Sequence, residues 1–198
     1  MSYSIVIVGL GNPGEEYENT RHSVGRIALD HFRTAQEFSE WEYNKKFKAL
    51  ISQKKIKKED VCLVLPETFM NKSGTSVVSL IKNKKQVERL VVIHDDLDIP
   101  IGSFKISFNR GSGGHKGVES IRRALKTEAF TRIRIGISQT TPSGKLKKPT
   151  GASHVDTFIL GIFKPKEREL LKQVARRVEG ALMTTITEGK ERAMNEYN

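Results

Sequence analysis

Apolar positions along this chain cluster in short runs separated by turn residues and amphipathic stretches. Residues 5–8, 47–52, 61–65, 90–94, 104–108 and 133–137 are apolar or alternating, and several are rich in Val and Ile. Such runs predict buried strands. Between them lie helical patterns. Residues 24–32 carry Val24, Ile27 and Ala28 on one side, 75–84 follow the turn residues Asn71, Ser73 and Gly74, and 118–125 follow a glycine-rich segment. Strands alternating with helices predict a single α/β domain over 1–198: a mixed, largely parallel twisted sheet flanked by helices.

The longest helical pattern, 167–188, predicts a C-terminal helix near 165–188. Leu170, Leu171, Val174, Val178, Leu182 and Ile186 form its apolar stripe, and Arg168, Lys172 and Arg176 recur every four residues on another face. Those cations read equally as a solvated face or as one turned to phosphate. Residues 139–153 are rich in Thr, Ser, Gly, Pro and Lys and predict an exposed, mobile loop.

Composition narrows the function. The chain has 198 residues, enough for one sizeable core. Lys plus Arg number 34 against 23 acids, a formal charge of +11. This excess favours a polyanionic partner, the bland alternative being a merely basic soluble protein. No apolar run is long enough to cross a bilayer, and the first residues lack a signal-peptide pattern. The single cysteine, Cys62, sits in an apolar run and reads as a core residue. A reducing cytoplasm fits, and with no second exposed apolar stripe visible a monomer is expected.

The chemistry concentrates behind the first strand. Gly9, Gly11 and Gly14 form a turn that lets a ligand approach the backbone, and Asn12, Tyr17 and His22 follow. The Gly-x-Gly-x-x-Gly spacing matches a dinucleotide fingerprint, but two acids (Glu15, Glu16) follow it, and no acid ends the next strand. Walker, serine-elbow and Cys-x-x-Cys motifs are missing from the sequence. His22 and Asp95 form the candidate catalytic pair, because a carboxylate on one imidazole nitrogen leaves the other free to take a proton from water. Asn12 and Asn71 are neutral amides able to hold a carbonyl. His94, Asp95, Asp96 and Asp98 could instead hold a cation, but neighbouring strand residues point to opposite faces.

In combination these residues resemble the bacterial peptidyl-tRNA hydrolase family. The matching landmarks run in order: Gly9 to Gly14 with Tyr17 and Thr20, Arg21, His22; Glu67 to Asn71 with Ser73 and Gly74; His94 to Asp98; Gly113, Gly114, His115 and Gly117; and Arg132 to Gly136. The resemblance implies hydrolysis of the ester between a peptide and the terminal ribose of tRNA, with no cofactor or metal and with peptidyl-tRNA as partner. By the same resemblance His22 activates water and Asp95 orients it, while Asn12 and Asn71 hold the substrate. Tyr17, Phe69, Met70, His115 and Lys116 would meet the terminal nucleotides and peptide, and Lys105 and Arg134 would meet tRNA phosphate. Two positions depart from the usual pattern, where Ser23 and Lys116 stand in place of Asn. Ser107 also replaces a common basic residue. The alternative consistent with those departures is an inactive RNA-binding module of the same fold.

Overall fold

The computed structural model describes residues 3–198. Its eight strands are β1 (Ile5–Gly9), β2 (Glu42–Asn44), β3 (Ala49–Ile56), β4 (Glu59–Pro66), β5 (Leu90–Pro100), β6 (Phe104–Phe108), β7 (Thr131–Thr140) and β8 (Leu146–Lys147). They form one sheet in the order β2-β3-β4-β1-β5-β7-β6, with β8 paired to β7. The sheet is mixed, as the alternation predicts. Its four middle strands, β4, β1, β5 and β7, run parallel. The outer pairings are antiparallel.

The helices are α1 (Val24–Ala35), α2 (Ser73–Val78), α3 (Lys84–Glu88), α4 (Lys116–Leu125), α5 (Ala152–Leu160), α6 (Pro165–Thr187) and α7 (Lys190–Tyr197). They cover both faces of the sheet, which is why β1 is apolar at every position rather than alternating. Ile5 and Ile7 pack with Leu29, Val178 and Leu182 on one face. Val6 and Val8 pack with Val77, Val118 and Ile121 on the other. Cys62 lies in this second layer, and burial pushes its thiol up to about 12.

Four sequence expectations need correcting. The pattern over 75–84 is two short helices, because Asn83 accepts from the N–H of Gln86 and caps a new start. The segment 139–153 is partly regular: β8 pairs back on β7 and α5 begins at Ala152. Leu170 is 38% exposed, off the buried stripe formed by Leu171, Val174, Val178, Leu182 and Ile186. The strand containing His94 continues to Pro100, with a register shift between Asp96 and Pro100.

Close packing fixes where β1 ends. A Cβ on Gly9 would lie 2.6 Å from the carbonyl oxygen of Gly25, and one on Gly25 would lie 2.3 Å from that of Ile93. Only glycine fits at either place, so α1 starts hard against the ends of β1 and β5. The loops after β1, β4 and β5 therefore open into one crevice at the carboxyl ends of the parallel strands, where such sheets bind ligands.

Candidate active site

His22 sits in a single 3-10 turn, Arg21–Ser23, immediately before α1. Arg21 anchors that turn. Its guanidinium donates to Glu167 Oε2 at 2.7 Å and to the carbonyl of Ile162 at 2.7 Å, and it stacks over Phe158. Its backbone N–H donates to the carbonyl of Gly161. Helices α5 and α6 and the segment joining them thus hold the turn that carries the imidazole. Ser23 is fully buried within the turn and shares a hydrogen bond with Thr20. The Ser23 departure noted in the sequence therefore has no exposed surface of its own.

Asp95 lies at the end of the parallel part of β5. His22 Nδ1 is 2.8 Å from Asp95 Oδ1, and both side chains are buried. His115 Nε2 reaches the same oxygen at 2.9 Å. Burial alone would raise the Asp95 carboxyl, but the two imidazoles outweigh it and hold the carboxyl far below the usual carboxylate range. His94 lies behind this group, its ring edge-on to that of His115 with centroids 4.7 Å apart. Burial drives His94 well below the ordinary imidazole value, with the nearby His115 and Arg132 adding to the effect. Neutral His94 donates from Nδ1 to the Asp95 carbonyl oxygen at 2.7 Å and accepts from Arg132.

His22, Asp95 and His115 each offer one ligand atom within 4.8 Å of the others, a spacing a small cation could use. The same groups are joined through Asp95 Oδ1 by hydrogen bonds, so the arrangement is a hydrogen-bonded triad. The His94, Asp95, Asp96 and Asp98 run does not converge: Asp96 takes Arg134 at 2.8 Å, and Asp98 takes Lys148.

Two cavities flank His22. One, of about 320 Å³, is bordered by Asp95, His115, Gly113, Val155 and Ile159. The other, of about 360 Å³, is bordered by Asn12, Phe69, Met70, Asn71 and Leu160. Lys116 and Asp156 border both and are joined by an ion pair at 2.9 Å. Asn12 accepts through Oδ1 from the N–H of Met70, tying the glycine turn to the loop after β4 and leaving its amide N–H groups able to donate elsewhere.

The structure therefore gathers His22, Asp95, Asn12, Asn71, Phe69, Met70, His115 and Lys116 about one centre. Tyr17, half-buried in its own turn, borders neither cavity. Lys105 is exposed on β6, paired in register with Arg134. Arg134 borders a neighbouring cavity of about 600 Å³ with Arg110 and Arg132. Sequence reasoning missed Asp156, Val155 and Ile159, all on α5. The i, i+4 spacing of Val155 and Ile159 was a usable signal, obscured by the loop-like composition just before it.

A carboxylate-oriented imidazole at the strand ends of a doubly covered sheet, between two cavities, defines an α/β protein equipped to activate water. Comparison with known proteins sharpens that class. The peptidyl-tRNA hydrolase family profile matches residues 6–198. Peptidyl-tRNA hydrolase of Thermodesulfovibrio yellowstonii is 38% identical over 197 residues, covering 98% of each chain. That of Aquifex aeolicus is 37% identical over 198 residues, 98% of this chain and 95% of its own. The crystal structure of peptidyl-tRNA hydrolase from Acinetobacter baumannii superposes with a TM-score of 0.87 at 30% identity, covering 100% of this chain and 96% of that one. The chain belongs to the peptidyl-tRNA hydrolase family.

Proposed function

We propose that this protein hydrolyses the ester joining a peptide's carboxyl end to the terminal ribose of tRNA, with His22 as general base. The observation that carries this reading is the 2.8 Å contact between His22 Nδ1 and Asp95 Oδ1 in the crevice. Asp95 accepts the Nδ1–H and so fixes the tautomer that leaves Nε2 free. Nε2 takes a proton from water, and the resulting hydroxide attacks the ester carbonyl. Collapse of the tetrahedral intermediate breaks the bond to the ribose oxygen, which leaves with the proton that His22 held. Amide N–H groups of Asn12 and Asn71 stabilise the oxyanion and hold the peptide main chain. A positioned base of this kind contributes about 10²–10⁴ in rate.

The cavity walled by Phe69 and Leu160 suits the peptide, and the basic side carrying Arg110 and Arg134 suits tRNA phosphate. We read Lys105 as a further phosphate contact and Tyr17 as an outlying contact to the terminal nucleotides or peptide. Lys116, paired with Asp156 in the free protein, exchanges that carboxylate for a substrate phosphate. The chain acts as a monomer in the cytoplasm, where translation supplies its substrate. No described helix is long and apolar enough to cross a membrane.

The test is release of deacylated tRNA from N-acetyl-aminoacyl-tRNA by the purified protein. Turnover with preference over the unblocked aminoacyl-tRNA is expected. Binding of tRNA without any release would replace this reading with that of an RNA-binding module.

A further inference from the structure

His115 is more than a wall of the crevice. Its side chain caps α4: Nδ1 accepts from the backbone N–H of Gly117 at 3.1 Å and of Val118 at 3.3 Å. A nitrogen that accepts two N–H groups carries no hydrogen of its own. The ring hydrogen therefore sits on Nε2, which faces Asp95 Oδ1 at 2.9 Å. The cap thus fixes Nε2 as the ring nitrogen that donates to Asp95, and the lock is the helix itself.

We propose that His115 is a positioning residue, a helix-capping imidazole that holds the Asp95 carboxylate in the one orientation that accepts the Nδ1–H of His22. This inference rests on the catalytic reading above. Three features support it. Both imidazoles bind the same carboxylate oxygen, so Asp95 cannot rotate about its side chain without breaking both contacts. The His115 ring is itself wedged between His22 at 5.0 Å and His94 at 4.7 Å between centroids. A Cβ on Gly117 would come within 2.3 Å of Met70 Sδ and 3.2 Å of the His115 ring, so the start of α4 is packed against the floor of the crevice. Movement of α4 would therefore be felt at Asp95 without passing through the substrate.

Capping and donation can be separated. Asn caps helices well but stops short of Asp95, whereas Gln is long enough to bring an amide N–H to it. Steady-state hydrolysis of N-acetyl-aminoacyl-tRNA should show kcat of His115→Asn reduced about 10-fold, as expected for one hydrogen bond to a charged group. KM should change less than about threefold, and His115→Gln should recover most of the lost kcat. A raised KM with unchanged kcat would make His115 a substrate contact and overturn the proposal. Unchanged values for both constants would reduce it to a cap and equally overturn it. Should His115→Asn not fold, nitrogen NMR of the wild-type protein decides the matter. The Nε2–H tautomer of His115 is expected, and the Nδ1–H tautomer would contradict it. Retained turnover in His22→Ala would instead defeat the catalytic reading, which keeps the two failures distinct.

Discussion

At the scale of single residues, one carboxylate organises the site. Asp95 is held ionised by two imidazole donors, although burial opposes its charge. Its carboxyl is depressed in the folded protein and near 3.9 when unfolded. The stability it contributes is therefore present above the unfolded value and lost as pH falls below it. Urea unfolding followed from pH 6 to pH 3 should show a steeper loss for wild type than for Asp95→Asn. Parallel curves would mean that Asp95 is not charged in the native state. The same substitution should lower kcat by about 10²–10⁴-fold in tRNA hydrolysis, because an amide can present its N–H to His22 and fix the wrong tautomer.

Sequence made this residue scale unusually legible. His22, Asp95, Asn12 and Asn71 were nameable because each follows or ends an apolar run, and in such sheets run ends become crevice walls. The shared oxygen was not nameable. That His115 reaches Asp95 depends on how α4 enters the sheet, a property of packing rather than of spacing. Lys116 carried a visible departure in residue type, but its partner Asp156 lay in a segment whose composition reads as loop.

At the scale of elements, the position of His22 depends on Arg21 reaching across to α6. The Arg21–Glu167 pair is almost wholly buried, and removing one member strands the other's charge. Glu167→Ala should destabilise the fold by about 3–5 kcal/mol, read as a lowered urea midpoint with unchanged slope. A loss within about 0.5 kcal/mol, typical of surface substitutions, would show that the pair does not anchor the turn. The helical pattern of α6 was plain in the sequence because its apolar stripe is long. The break between α2 and α3 was not, since a capping Asn within a continuous helical pattern is a weak signal. The two outer hairpins of the sheet were likewise hidden, as β2 and β8 are too short to impose a period.

At the scale of the whole molecule, the +11 charge gains meaning from its placement. Asp96, Asp98 and Asp156 pair with Arg134, Lys148 and Lys116 beside the crevice, so these three cations add nothing to the net excess. Arg110 borders the basic cavity with an exposed side chain. Arg110→Gln should reduce the slope of log affinity for tRNA against log salt by about 1. An unchanged slope would place tRNA phosphate elsewhere on the surface.

Activation of water by His22 is the step on which the proposed function depends. Its most direct measurement is single-turnover hydrolysis of N-acetyl-aminoacyl-tRNA by His22→Ala, with tRNA affinity measured on the same preparation. The expected result is ester cleavage slowed by about 10²–10⁴-fold, affinity within a few-fold of wild type, and partial recovery of the rate on adding free imidazole. Cleavage at the wild-type rate by this variant would contradict the account.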